Sequence, residues 1–101
     1  MKLETKGASL TLAPTTGADL MRPTVHLNGT SRKELLEQLT EALERLRRAE
    51  GALMAAAPNG RDYYTQGNMK IVEASAQHSL RMKALKVIYA ELEEIAEGLV
   101  Q

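Results

Sequence analysis

The spacing of the apolar residues is the feature that most limits how this chain can fold. Leucines at 36, 39, 43 and 46 recur every three or four residues, and Leu53 continues the row after an interruption at Glu50, which places the apolar side chains on one face of a helix. Ser31 and Glu34 form a capping box at its start, in which the serine caps an orphan N–H and the glutamate returns the bond. Pro58-Asn59-Gly60 ends the pattern, because proline cannot continue the helical hydrogen bonds and Asn-Gly favours a turn. The sequence therefore predicts an amphipathic helix over roughly residues 32–57.

A second apolar stripe begins near Gly67 or Asn68 and continues close to the C-terminus. Its members are Ile71, Ala74, Ser75, His78, Met82, Leu85, Ile88, Leu92, Ile95 and Leu99. A further set lies off this stripe and widens the apolar surface beyond what one partner helix covers: Leu80, Ala84 and Val87. Two long helices with a short connection form an antiparallel hairpin, which alone buries too little surface to offset chain entropy. We therefore expect a homo-oligomer, a dimer or higher, most simply two hairpins in a four-helix bundle.

The first thirty residues differ in composition from the rest, with two of the three prolines, three of the seven glycines and six threonines. Alternating patches at 9–13 and 24–27 predict one or two short strands, or an extended chain lying on a helix. Asn28-Gly29 predicts a turn, since both residues tolerate positive φ. The predicted fold is mainly α: a short extended or β arm over 1–30, followed by a helical hairpin domain over 31–101.

Composition excludes several classes of function. The 13 basic and 13 acidic side chains cancel, which argues against non-specific nucleic-acid binding. The absence of cysteine removes disulfides, thiolate metal sites and a cysteine nucleophile. Because no signal peptide or membrane span is visible, we expect a cytoplasmic protein that does not bind membranes. No catalytic, cofactor or metal-binding motif occurs, so we expect neither an enzyme nor a cofactor or metal site.

The charges are unevenly distributed despite the zero total. Residues 45–86 carry eight basic and three acidic side chains, a net charge of +5, and the remaining residues carry −5. An antiparallel hairpin gathers the cations around its connecting loop and the carboxylates at its opposite end. Carboxylates at a helix C-terminus oppose the helix dipole. Either a second subunit packed head to tail offsets this cost, or the charges are solvated faces with their own i,i+4 pairs.

The connecting loop over 58–67 is the first candidate site. Tyrosine rings stack on bases, and a guanidinium binds phosphate oxygens, so Arg61, Tyr63 and Tyr64 are the predicted ligand contacts. Electrostatic support is expected from Arg47, Arg48, Lys70 and Arg81. The alternative is that the tyrosines pin the loop to the bundle, while Arg61 and Asp62 pair locally.

The turn before the first helix is the second candidate. Asn28, Gly29, Thr30 and Ser31 offer N–H groups, hydroxyls and a positive dipole end, all suited to an anion, although Ser31 is equally explained as a cap. These residues join the loop site only if a neighbouring subunit brings its helix start there. His78 lies on the apolar stripe and is explained by burial with a hydrogen-bond partner.

Two peptides carry a resemblance to known sequences: His-Leu-Asn-Gly-Thr-Ser at 26–31 and Pro-Asn-Gly-Arg-Asp-Tyr-Tyr at 58–64. The chain from about Thr24 to its end resembles short uncharacterised proteins encoded by bacteriophages and prophages of proteobacteria. In architecture alone, an oligomerising helical hairpin is similar to the phage anti-defence sponges of the anti-CBASS and anti-Thoeris type. Those proteins sequester cyclic nucleotide messengers without catalysis, and this second resemblance transfers no residue roles.

The leading hypothesis is thus a non-catalytic anti-defence sponge. It would sequester an anionic small molecule at the basic loop end, such as a cyclic nucleotide or an ADP-ribose derivative. The alternative is a protein-binding inhibitor of a host defence complex, similar to an anti-CRISPR protein, or a phage regulatory or structural adaptor. In that alternative the apolar strip of Leu80, Ala84 and Val87 meets the host protein.

Overall fold

Two long helices dominate the computed structural model, which describes residues 19–100. Helix α1 spans Arg32–Ala55 and helix α2 spans Lys70–Val100, with two 3-10 turns, Gly60–Asp62 and Tyr64–Gln66, between them. The helices pack against each other as an antiparallel hairpin. The predicted helical hairpin is therefore confirmed, with α1 ending two residues before its predicted limit.

Helix α1 begins where the sequence predicts. The hydroxyl oxygen of Ser31 accepts a hydrogen bond from the backbone N–H of Glu34 at 3.1 Å, which satisfies one orphan donor of the first turn. The serine half of the capping box is thus confirmed. The Glu34 carboxylate does not return the bond as predicted: it accepts from the Ser31 hydroxyl, at a long 3.5 Å.

Residues 21–31, ahead of α1, are exposed, and residues 19–100 contain no strand. The strand predicted at 24–27 is therefore wrong. The patch predicted at 9–13 lies outside the described residues. The turn predicted at Asn28-Gly29 is present, with the Gly29 N–H donating to the His26 carbonyl at 3.1 Å.

The turn does not use glycine for the predicted reason. Among residues 19–100 only Gly67, not Gly29, is a glycine with positive φ. A Cβ at Gly29 would lie 2.8 Å from Nε2 of the exposed His26 side chain, which would have to move to accommodate it. Gly67, at φ 127°, adopts a backbone conformation that favours glycine, just before α2 begins.

The hairpin buries very little. Leu99 is the one fully buried residue in the described part of the chain. Along α1 the stripe that faces α2 is only half-buried, at Leu35, Leu36, Leu39, Ala42, Leu43, Leu46 and Leu53. On α2, Ile88 was expected within the main stripe but is 39% exposed, while Leu80 is 66% exposed. Most apolar side chains of the two helices therefore remain partly exposed to solvent.

Candidate functional site

The connecting loop presents its arginine and one of its tyrosines to solvent. The Asn59 side chain accepts from the Arg61 N–H at 3.0 Å, which starts the first 3-10 turn and orders the backbone there. Tyr64 is 74% exposed, whereas Tyr63 is half-buried. Arg61 is exposed and forms no salt bridge within residues 19–100, so the expected local pair with Asp62 does not occur. The loop thus covers Tyr63 in part and leaves Arg61 and Tyr64 accessible.

Apart from Arg47, the cations of residues 45–86 divide into two groups. Arg45, Lys70 and Lys86 have carboxylate neighbours: Glu41 at 2.8 Å, Glu73 at 3.4 Å and Glu50 at 4.0 Å, respectively. Four further cations are exposed and have no salt bridge in the part of the chain that the structure describes: Arg48, Arg61, Arg81 and Lys83. The loop end therefore keeps unneutralised positive charge, although Lys70 contributes less than the sequence predicts.

Arg47 has a structural contact. Its Nη2 donates to the Tyr89 hydroxyl oxygen at 2.7 Å, and its guanidinium carbon lies 5.7 Å from the centre of the Tyr89 ring. Successive helical residues point about 100° apart, so Arg47 and Arg48 face different directions. The structure thus joins Arg47 to α2 rather than to the loop cations.

A groove between the helices surrounds this contact, and we call it the central groove. Its volume is about 280 Å³. The residues that line it are Leu46, Arg47, Glu50, Leu85, Lys86, Tyr89, Ala90 and Glu93. Apolar side chains form its floor, and charges of both signs stand at its edges. The sequence pattern indicated Leu46 and Leu85 as core residues but did not indicate that the helices leave a groove over them.

The second candidate site lies at the other end of the hairpin. Asn28, Gly29, Thr30 and Ser31 are exposed and precede α1, whereas the loop follows α1. A helix of 24 residues separates the two regions by about 36 Å. Within one chain, the structure does not bring the two candidate sites together.

The acidic end receives a cation that the sequence analysis missed. Arg22 of the N-terminal segment forms a salt bridge with Glu94, and its side chain also lies beside Gly98. This contact partly offsets the carboxylates near the C-terminus of α2. The two partners are 72 positions apart, so no local pattern indicates the pair.

His78 is half-buried, and its Nε2 atom is buried with no hydrogen-bond partner. The expected hydrogen-bonded histidine is therefore wrong for this nitrogen. Within residues 19–100, no carboxylate orients the ring through Nε2.

Within residues 19–100, no group of three or more His, Cys, Asp or Glu side chains lies close enough to hold a metal ion. Neither of the two helices has the length and apolar content needed to cross a membrane. No protein-family model, curated protein or solved structure significantly matches the chain.

Proposed function

We propose that this chain is a non-catalytic binding protein of phage type, which sequesters a phosphate-bearing small ligand at its loop end. One observation carries the proposal: Arg61 and the 74%-exposed Tyr64 lie in the same short loop, and no carboxylate of residues 19–100 neutralises that arginine. An exposed guanidinium binds two phosphate oxygens at once, and a tyrosine ring stacks on a base. Arg48 and Arg81 add long-range attraction for an anion.

Self-association is part of the same proposal. A hairpin whose described residues include only one that is fully buried lacks the core that a stable domain of this size needs. A second copy supplies the missing apolar contacts. The resemblance to hairpin sponges suggests the ligand class, namely cyclic di- and trinucleotides or ADP-ribose derivatives.

Titration calorimetry against a panel of these nucleotides tests the binding function. We expect one or more of them to bind, and Arg61→Ala and Tyr64→Ala each to weaken the affinity by at least about tenfold. Arg45→Ala is the matched control, because this arginine is already occupied by Glu41 at 2.8 Å. Silence across the whole panel, or equal losses in the control, would contradict the proposal.

A protein-binding function is the second candidate, and a specific observation favours it. Leu80 is 66% exposed on α2, and the neighbouring Ala84 and Val87 are only half-buried. An exposed apolar strip of this kind suits the surface of a host defence complex. Leu80→Glu separates the two functions: it would disrupt inhibition of such a complex but leave nucleotide binding intact.

A further inference from the structure

One face of α2 carries a charge pattern that is complementary to itself. Lys83, Lys86, Ala90, Glu93 and Glu97 follow one another at intervals of three, four, three and four residues, which places them on one helix face. We call this row the α2 seam. Three of its members line the central groove, and the outer two extend the same face by about one turn at each end. Two cations thus lie on one side of Ala90 and two carboxylates lie on the other.

We propose that the α2 seam binds the α2 seam of a second copy, antiparallel, with a two-fold axis level with Ala90. In a two-fold interface every contact occurs twice. Lys83 of each copy then faces Glu97 of the other, and Lys86 faces Glu93. The inference rests on the self-association in the proposed function but not on its ligand binding.

The contacts within the chain leave these charges available. Lys83, Glu93 and Glu97 form no salt bridge inside the described range of 19–100. Lys86 has only a marginal one, 4.0 Å from Glu50. The small side chain of Ala90, at the axis, lets the two helices approach closely. Apolar floor residues of the central groove then become covered by the second copy.

The overlap of the two hairpins has the size that a stable interface needs. With the axis at Ala90, the two α2 helices overlap over residues 80–100, a length of about 32 Å, and two adjacent helices are about 20 Å wide. The shared face is therefore about 630 Å² per copy, within the range of roughly 600–1,000 Å² per partner of standard interfaces. Such a contact supplies the burial that the single hairpin lacks.

The same alignment brings the two candidate sites together. Two contacts show which residues of α1 and α2 lie level with each other: Glu50 with Lys86, and Arg47 with Tyr89. In both pairs the residue numbers add up to 136, and the same sum identifies the other level positions of the antiparallel hairpin. By this register, Ser31 lies about 22 Å along the axis from Ala90, beyond the end of α2. In the dimer, the two-fold axis therefore places Ser31 of one copy about 22 Å from Ala90 in the direction of the other copy's connecting loop, level with that loop. The Asn28–Ser31 turn of one copy then faces the Arg61 loop of the other.

Charge exchange tests the interface. Lys83 and Glu97 are 14 residues apart, about 21 Å along the helix, and so cannot contact each other within one chain. We expect Lys83→Glu and Glu97→Lys each to weaken dimerisation by at least about tenfold in analytical ultracentrifugation. The chain with both substitutions should recover the wild-type affinity, and so should an equimolar mixture of the two single variants.

The control is Glu44→Lys, an exposed α1 carboxylate outside the seam, which should leave dimerisation unchanged. Circular dichroism confirms that each variant keeps its helices. Single variants that assemble like the wild type, or a double variant that stays dissociated while helical, would overturn the seam. A wild-type chain that is monomeric at all concentrations would overturn self-association as well. Calorimetry with the nucleotide panel reports on the ligand separately from both.

Discussion

Gly51 and Gly67 show how two identical residues serve different purposes. Gly67 has a φ of 127°, a backbone angle that residues other than glycine rarely adopt. Gly51 lies within α1 and has no atom within 4 Å of the position that a Cβ would occupy. The first glycine is required by the backbone, whereas the second only weakens its helix.

These differences predict opposite effects of the same substitution. Gly67→Ala should lower the free energy of unfolding by about 1–2 kcal/mol, because alanine is strained at this φ. Gly51→Ala should raise it by about 0.5–1 kcal/mol, because alanine favours the helix and fills only open space. Urea denaturation measures both, and each variant serves as the other's control. A Gly67→Ala chain that is more stable than the wild type would show that Gly67 does not have a positive φ in the turn before α2.

His78 predicts a stabilising substitution. Its Nε2 is buried without a partner, and an unsatisfied buried polar atom reduces stability. His78→Leu should therefore raise the free energy of unfolding by about 1 kcal/mol in the same denaturation experiment. His78→Gln keeps a polar group there and should give no such gain. A clear loss in the leucine variant would mean that the imidazole makes a needed contact, for example with a second copy.

At the residue scale, short-range chemistry was predictable and long-range chemistry was not. The Ser31 cap follows from two residues three positions apart, and the structure confirms its serine half. The salt bridge of Arg22 with Glu94 joins residues 72 positions apart, which no local pattern indicates. The turn at Asn28-Gly29 is also local and present, but Gly29 does not adopt the positive φ that the sequence predicts.

At the scale of the helices, specific contacts set how α1 and α2 align. The periodic leucines allow the helices to slide by one turn at little cost, because each turn presents the same kind of side chain. Arg47 and Tyr89 restrict this freedom through a hydrogen bond of 2.7 Å between the helices. The helix bounds were predictable from caps and periodicity, but the alignment was not.

The Arg47–Tyr89 contact therefore predicts a measurable coupling. Tyr89→Phe should lower the free energy of unfolding by about 0.5–1.5 kcal/mol, and Arg47→Ala by a similar amount. The double variant should lose less than the sum, because both substitutions remove the same hydrogen bond. Thermodynamic cycles from chemical denaturation measure this coupling. Arg48→Ala is the control, since this exposed neighbour has no salt bridge within residues 19–100, and strict additivity would contradict the contact.

For the whole molecule, sparse burial makes stability depend on concentration. Leu99 is the one fully buried residue among those described, so the proposed second copy contributes much of the core. Folding linked to association responds to protein concentration by mass action. A hundredfold increase in concentration should raise the melting temperature by several degrees, because it adds about 2.7 kcal/mol to the apparent stability of the dimer, or about 1.4 kcal/mol per chain. Differential scanning calorimetry across that concentration range measures the melting temperature. The Lys83→Glu variant, which weakens the proposed dimer, should show a smaller dependence on concentration. An unchanged melting temperature would show that the hairpin folds alone.

Local physics accounts for what the sequence alone established: two helices, the Ser31 cap of the first, the end of that helix before Pro58 and the segregation of charge along the chain. Each depends on residues a few positions apart, where spacing translates directly into shared helix faces. The central groove and the salt bridge of Arg22 emerged only from the folded hairpin. They depend on which residues lie level across two packed helices, and a repeating leucine pattern is compatible with several such alignments.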